Sequence, residues 1–350
     1  MLNVMPYFLC YSMPLAYLWG LHVGGLAILA PLFIGFVIVP LADLVFGRDH
    51  KNLSTGEEKL FKNLPIFRAV TLLWVPVQCF IVFYSLWYLS SSSENILFLI
   101  SAALACGVVT GGIGITVAHE LCHRQTKIEN FASQVILLMT NYMHFHVEHN
   151  VGHHQRVSTP EDPASARFNQ SLYAFLPQTL IGSLKSLAAF ERKRVRVKKL
   201  SWFQNRLYLY GLMQVALSIL VILAFGFYGL FFHLAQSFFA ILFLELVNYI
   251  EHYGLERRKL SNGRYEKVQP IHSWNANHKV SNYLLLKLQR HSDHHANPLR
   301  RYQTLRDMPE APQLPMGYPG MIILALCPPL WRKVMNPRVE SFRRGKAALA

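Results

Sequence analysis

Charged residues are scarce in this 350-residue chain: they make up 15% of it, whereas hydrophobic residues make up 52% and the mean hydropathy is +0.24. This balance argues against an ordinary soluble protein and indicates an integral membrane protein. Acidic residues are especially few, because 19 Asp and Glu stand against 34 Lys and Arg, for a net charge of +15. In a soluble protein that charge would suggest nucleic acid. Here the cations cluster beside apolar stretches, so we predict membrane lipid and no nucleic acid as partner.

Cysteine is also rare, and no two of the five cysteines form a CxxC pair. Cys122 lies between two histidines, and the other four are scattered in apolar context. The sequence therefore predicts neither a disulfide framework nor a built-in iron–sulfur or rubredoxin module. The N-terminal segment lacks both a basic region and a small-residue cleavage site, so we interpret it as the first membrane span and not as a removed leader.

Six apolar stretches are long enough to cross a bilayer, which takes about 20 residues of helix. They occur near 5–23, 25–46, 67–89, 95–117, 207–229 and 231–250. Only short links, near 21–25 and 228–230, join the first two and the last two stretches, so each pair is predicted to form a tight helical hairpin. We expect an all-α integral membrane protein with six transmembrane helices, folded as a single domain over 1–350.

All 34 Lys and Arg residues fall in three segments, 48–68, 124–206 and 257–346. By the positive-inside rule, this segregation places both termini and the segments 118–206 and 251–350 in the cytoplasm. Residues 127–145 are apolar enough for another helix, but a crossing there would put the following basic segment on the wrong side. We therefore expect that helix to dip into the membrane or to pack beneath it.

Histidine is concentrated in four blocks: HELCHR at 119–124, EHNVGHH at 148–154, NYIEHYG at 248–254 and LQRHSDHH at 288–295. All four blocks lie at or beyond cytoplasmic helix ends, although charge segregation and histidine position are independent features. Imidazole suits iron, copper, nickel and zinc, and nine imidazoles are enough for two metal ions with four or five ligands each. The candidate ligands are His119, His123, His149, His153, His154, His252, His291, His294 and His295.

Carboxylates near these histidines are predicted to orient ring N–H groups, because a ligating imidazole usually donates its other N–H to a partner. The candidates are Glu120, Glu148, Glu251 and Asp293. A supporting or structural role is expected for His144, His146, His272 and His278. His22, His50 and His233 are expected to be polar anchors or hydrogen-bonding groups and not ligands, and the first and last lie on the opposite membrane face in the predicted topology.

The stretch HELCH also matches HExxH, the zinc metalloprotease motif, in which Glu120 would act as general base. Such a protease needs three protein ligands for one zinc ion, and nine imidazoles far exceed that number. A membrane zinc metalloprotease is the least favoured of the alternatives.

The four histidine blocks, in this order and at these separations, closely resemble those of the membrane-bound alkane monooxygenases, which are non-haem diiron enzymes of bacteria. The stretches at 159–168, TPEDPASARF, and 272–285, HSWNANHKVSNYLL, are similar to that family too. The block NYIEHYG distinguishes alkane hydroxylases from fatty-acid desaturases, whose second histidine box is typically HxxHH. Xylene-type methyl hydroxylases and fatty-acyl desaturases remain the alternatives.

The resemblance implies that the nine histidines bind two non-haem iron ions and that no catalytic residue is needed beyond this metal centre. It implies terminal hydroxylation of n-alkanes to 1-alkanols in the bacterial inner membrane. O2 would be the co-substrate, and a separate rubredoxin with its NAD(P)H-dependent reductase would supply electrons, for which Arg300 and Arg301 are candidate docking residues. The alkane would arrive from the bilayer through an apolar passage, and candidate lining residues are Phe33, Phe36, Trp74 and Leu244.

Overall fold

The computed structural model describes residues 4–91 and 95–347, and within them the regular secondary structure is helical, apart from isolated β-bridges. Helix α1, Ser12–Val23, follows a 3-10 segment, Met5–Tyr11. Gly24 and Gly25, both with positive φ, turn the chain into α2, Gly25–Phe46. The turn is tight, since a Cβ on Gly20 would lie 2.2 Å from the Ala27 carbonyl oxygen. The first predicted hairpin is therefore present.

Two further apolar helices follow a short surface helix, α3, Thr55–Asn63, which begins with a capping box formed by Ser54 and Glu57. They are α4, Pro65–Ser90, and α5, Ile96–Cys122. The link between the third and fourth predicted stretches, near 90–94, lies partly outside the described residues. Helix α5 contains a π-helical segment, Val108–Ile115, and ends within the first histidine block.

Helix α6, Lys127–Met139, is the segment that was expected to dip into the membrane or to pack beneath it. Its Ile136 carbonyl accepts a hydrogen bond of 3.1 Å from Gln78 of α4. The Met139 carbonyl accepts one of 2.8 Å from Gln236, a buried side chain of a later apolar helix. Helix α6 therefore lies among the apolar helices and not beneath them.

The second half of the chain begins with a short helix, α7, at 145–156, whose central residues His149–His153 are π-helical. The amphipathic helix α8, Leu172–Val197, follows. The apolar segment α9, Arg206–His252, has 47 residues and consists of two helical parts that meet at a kink at Gly226, where φ is 67° and ψ is −167°. The interruption at Gly226 lies before the link that we predicted at 228–230.

Four described helices are long and apolar enough to cross a membrane: α2, α4, α5 and α9. Helix α1 is shorter, and α9 covers both of the last two predicted spans. Six separate crossings thus remain a prediction, as does the single domain over 1–350. Four short or C-terminal helices complete the fold, namely α10, Lys279–Leu284; α11, His291–Ala296; α12, Tyr318–Ala325; and α13, Pro328–Ala347.

Close packing of α5 against α9 brings the first and third histidine blocks together. A Cβ on Gly111 would lie 2.5 Å from the Ala240 carbonyl oxygen, so a side chain at this position would force the helices apart. The C-terminal segment is tied to this pair through α2, because Asp43 accepts hydrogen bonds from the backbone N–H groups of Val280 and Ser281 at 2.8 and 3.0 Å. These contacts carry the fourth histidine block to the ends of α5 and α9.

Candidate metal centre

The nine candidate histidines form two adjacent groups. Within each group, one ring nitrogen from every member lies within 4.8 Å of those from all other members. The five-histidine group consists of His119, His123, His149, His154 and His294. The four-histidine group consists of His153, His252, His291 and His295. Each group draws on three of the four sequence blocks.

Local helix geometry explains how neighbouring histidines reach the same place. His119 and His123 are four residues apart and therefore share a helix face. In α7, the π-helical turn widens the spacing, so that His149 and His154 join one group while His153 joins the other. The two groups touch, because the His154 ring stacks on His295 at a centroid distance of 4.3 Å.

The donor set fits metal ions. His149 Nε2 lies 3.1 Å from His123 Nε2 and 3.0 Å from His154 Nε2, so ring nitrogens point at one another and not at protein carbonyls. Among the described residues, the buried Nε2 atoms of His119 and His252 have no hydrogen-bond partner. Buried polar atoms normally have partners, and a bound cation would supply one.

The electrostatics of the rings also favour cation binding. Burial, followed by the charge of neighbouring imidazoles, holds the pKa well below its usual range in the rings that lie outside the apolar helices: His123, His149, His154, His291, His294 and His295. These rings are therefore neutral at pH 7. Neutral imidazole is the form that ligates a metal.

Asp162 holds one ring of the four-histidine group, and the sequence analysis missed it. Its Oδ2 accepts a hydrogen bond from His153 Nδ1 at 2.9 Å and another from Ser165 Oγ at 2.6 Å. Burial lowers the pKa of His153, but the charge and hydrogen bond of Asp162, together with the charges of Glu148 and Glu245, raise the pKa overall. The only signal was the acid between two prolines in TPEDPASARF, a stretch noted for its resemblance and not for its chemistry.

Glu251 is the one predicted carboxylate that reaches a candidate ligand. Its Oε2 lies 3.2 Å from His291 Nε2, and its Oε1 accepts a hydrogen bond of 2.9 Å from the Tyr318 hydroxyl. All three side chains are buried. Tyr318, which the sequence analysis did not single out, thus holds the carboxylate against the ring.

The structure places the other three predicted carboxylates against arginines instead of ring N–H groups. Glu120 pairs with Arg124 at 3.2 Å. Glu148 pairs with an arginine of α7 at 3.1 Å, and burial raises its pKa to about 7. Asp293 pairs with Arg300 at 2.9 Å. In each case the carboxylate pairs with a neighbouring guanidinium and not with the imidazole that we predicted as its partner.

Four further histidines near the blocks stay outside both groups. His144 packs on a tyrosine ring at 4.3 Å, and His146 contacts a serine hydroxyl of α6 at 3.2 Å. His272 contacts a glutamate at 3.1 Å, and its carbonyl oxygen lies 3.5 Å from His252 Nδ1. His278 lies in an isolated β-bridge with Arg48. Of these, His272 is the one that touches a candidate ligand.

The three solitary histidines have different surroundings. His22 is exposed, and His50 Nδ1 lies 2.8 Å from Asp307. His233 is fully buried, with its Nε2 2.9 Å from the Asn141 amide. His233 is therefore a buried hydrogen-bonding group and not a surface anchor, and it lies outside both histidine groups, as expected.

Comparison with known proteins supports the same kind of site. Residues 94–325 match the fatty acid desaturase family. The alkane 1-monooxygenase 2 of Pseudomonas aeruginosa is 41% identical, over 96% of this chain and 90% of the relative. That of Alcanivorax borkumensis is 42% identical, over 89% of this chain and 82% of the relative. The chain belongs to the alkane 1-monooxygenase family.

Membership in the alkane 1-monooxygenase family makes the chain a monooxygenase, an oxidoreductase, and confirms the resemblance seen in the histidine blocks. The hydroxylase component of a Pseudomonas putida xylene/toluene monooxygenase is a more distant relative, 30% identical over 67% of this chain and 61% of the relative. The histidine groups and the apolar helices fit metal binding and a membrane setting for this family member.

An apolar cavity lies between α2, α5, α9 and the C-terminal segment. Thr116 and Leu288 line it and also line a smaller cavity, whose wall includes His119 and His294. The two cavities therefore adjoin, and the second reaches the five-histidine group. The Thr116 hydroxyl donates to the Gly112 carbonyl at 2.8 Å, which satisfies the hydroxyl within its own helix.

Of the four apolar residues predicted to line a passage, Phe36 lines the larger cavity. Phe33 is 57% exposed on the outer surface of α2. Trp74 is fully buried and donates its indole N–H to Gln78 at 2.8 Å, which is a packing role. Leu244 lines neither cavity among the described residues.

Proposed function

We propose that this chain hydroxylates the terminal methyl group of n-alkanes at two non-haem iron ions held by the five- and four-histidine groups. The adjacency of two all-histidine groups to an apolar cavity carries the proposal. The names of the alkane 1-monooxygenase relatives support it. In the overall reaction, R–CH3, O2, two electrons and two protons give R–CH2OH and water.

Bound iron supplies the redox chemistry of dioxygen activation, which side chains cannot provide alone. The protein positions the histidine rings and the alkyl chain. Asp162 holds the His153 ring by a hydrogen bond, and the Glu251 carboxylate packs against the His291 ring, with its Oε2 3.2 Å from His291 Nε2. The apolar cavity excludes water and, because it is narrow, admits an extended alkyl chain end first, which directs oxidation to the terminal carbon.

Electrons come from a separate rubredoxin, reduced by an NAD(P)H-dependent reductase. Within the described ranges, the five cysteines are free and belong to neither of the groups of side chains that could hold a metal ion. The setting is the bacterial inner membrane, with both termini and the histidine segments in the cytoplasm. The segregation of Lys and Arg supports that orientation.

The decisive experiment combines metal analysis of the purified protein with product analysis from a mixture of n-alkanes, toluene and a fatty-acyl substrate. We expect iron at two ions per chain, one for each group, and 1-alkanols as the main products. A double bond in the acyl substrate would instead identify a desaturase, and benzyl alcohol as the main product a xylene-type hydroxylase. Peptide cleavage with one zinc ion would identify a protease.

The cavity leads to a prediction about chain length. Gly112 lines the larger cavity, and a Cβ built on it meets no atom within 4 Å, so Gly112→Leu is expected to fill part of the cavity. The preferred alkane should shorten by roughly four carbons, the number that a leucine side chain adds. Competition among alkanes of graded length measures this shift, with iron content unchanged.

Gly211→Leu is the matched control, because Gly211 is also a helical glycine with open space around its Cβ but lies in α9 away from the cavity. Its chain-length preference should equal that of the unmodified protein. An unchanged preference in Gly112→Leu, with the protein folded, would mean that the substrate does not occupy this cavity.

A further inference from the structure

One member of the two histidine groups is less buried than the others. Eight of the nine histidines are buried, whereas His154 is partly exposed. Its Nε2 lies 3.0 Å from His149 Nε2, and its ring stacks on His295 at 4.3 Å. His154 therefore touches both groups and is also partly exposed, so an electron from outside can reach either group through its ring.

A basic hairpin, residues 257–267, lies beside His154. Its two arms meet at the Lys259–Tyr265 bridge, and Gly263, with φ of 79°, forms the turn. Arg257 fixes the hairpin to the segment after His154. Its backbone N–H donates to the Ser158 carbonyl at 2.7 Å, and its guanidinium donates to the carbonyl of the residue that follows His154 at 2.9 Å. The position of the hairpin relative to His154 is thus set by direct hydrogen bonds.

The cations of the basic hairpin are available to a partner. Four of them are exposed, namely Arg258, Lys259, Arg264 and Lys267. Within the described part of the chain, the single ion pair among these four joins Arg258 to Glu266, at 3.9 Å. Glu266 also lies 3.1 Å from His272, so its charge is shared. An exposed cluster of uncompensated charge attracts a partner of opposite sign and raises the rate of association.

Arg300 and Arg301, which the sequence suggested for this role, are already engaged. Arg300 pairs with Asp293 at 2.9 Å, and Arg301 pairs with the buried Glu129 at 2.8 Å. Breaking the Arg300 pair would leave the buried Asp293 carboxylate without its cation, which is costly. Losing Arg301 would leave Glu129 with Arg68 alone among the described cations, at 3.3 Å. These arginines hold the fold together, and the free positive charge near the metal centre lies on the basic hairpin.

We propose that the basic hairpin is the docking surface for a small acidic one-electron carrier protein and that electrons enter through His154. The inference rests on the proposed function, which requires two external electrons per turnover. Each docked carrier is oxidised by one electron and the histidine-bound metal centre gains it, so two docking events complete one turnover. Charge complementarity selects an acidic carrier, since a neutral or basic one would gain nothing from the hairpin.

The test removes the four charges together. The variant carries Arg258→Gln, Lys259→Gln, Arg264→Gln and Lys267→Gln. Binding of purified rubredoxin and turnover against rubredoxin concentration are measured at several salt concentrations. At low salt we expect both the affinity and kcat/KM for rubredoxin to fall by about tenfold or more, and their salt dependence to flatten. Iron content and the product formed after chemical reduction with dithionite should stay unchanged.

A matched control removes four exposed charges from the end of α8, through Arg192→Gln, Lys193→Gln, Arg196→Gln and Lys198→Gln. It should leave rubredoxin affinity unchanged. An equal loss in the control would mean that net charge alone matters, and would overturn the docking proposal. So would normal rubredoxin affinity in the hairpin variant. A defect that follows the content of anionic lipid in the vesicles, and not the rubredoxin concentration, would assign the hairpin to lipid headgroups and overturn it too.

A different result would contradict the proposed function. If the unmodified protein, chemically reduced and loaded with iron, forms no alcohol from any alkane, then terminal hydroxylation is wrong. Rubredoxin binding to the unmodified protein and to the two variants would still decide whether the basic hairpin docks an acidic carrier.

Discussion

His252→Ala should lose iron from the four-histidine group and reduce alkane hydroxylation below detection, while the protein stays inserted and folded. His252 is fully buried, and its ring centroid lies 4.8 Å from that of His153 and 4.9 Å from that of His295. Its Nε2 has no hydrogen-bond partner in the described part of the chain. Removing the ring therefore takes away a ligand without breaking a strong network. Iron per chain, a spectroscopic signature of each iron and product yield measure the effect.

His22→Ala is the control for this substitution, because His22 is an exposed histidine on α1 outside both groups. It should keep full iron content and turnover. Near-normal iron and turnover in purified His252→Ala would show that the three clustered blocks suffice, and would favour a centre closer to that of the desaturases.

Asp162→Ala should weaken iron binding in the four-histidine group and lower turnover by about 10- to 100-fold, the usual cost of losing a carboxylate that orients a ligating imidazole. Asp162 is 2% exposed, and its bond to His153 Nδ1 fixes which ring nitrogen faces the group. The turnover of Asp162→Asn should lie between that of Asp162→Ala and that of the unmodified protein, because an amide oxygen still accepts the hydrogen bond but carries no charge. Iron retention under a chelator, measured beside turnover, separates this effect from a general loss of folding.

Glu161→Gln supplies the comparison, since Glu161 is the preceding acid in the same loop and is exposed. Its iron retention should match that of the unmodified protein. If Asp162→Ala also retains iron and turnover, then the His153 ring is held by packing alone, and the carboxylate has no part in the metal centre.

The apolar helices show which features hydropathy predicts and which it does not. Stretches near 25–46, 67–89 and 95–117 correspond to helices whose ends differ from the predicted ones by a few residues. The last two stretches form two helical parts of α9 that meet at a kink at Gly226 and not at the predicted link. Hydropathy reports which residues avoid water, and it does not report backbone torsion angles. The place where an apolar helix breaks depends on which glycine adopts the positive φ that other residues avoid.

The carboxylates show where proximity in sequence misleads. Glu120, Glu148 and Asp293 each lie next to a candidate ligand along the chain, yet each pairs with an arginine. On a helix, adjacent residues point in different directions, so the neighbour of an inward-facing histidine often faces elsewhere. Asp162 reaches His153 from a loop nine residues away. A search for acids within a few residues of each histidine has no means of finding it.

The sequence by itself determined the helical membrane class, the four histidine blocks and the family, because hydropathy, spacing and motif are properties of short segments. Only the tertiary structure decided that the nine histidines divide into five and four, and that α7 contributes to both groups. It also decided that the free cations lie on the basic hairpin and not at Arg300. The assembly of the four histidine blocks depends on contacts between residues more than a hundred positions apart, such as Gly111 against Ala240, and the packing of whole helices determines these contacts.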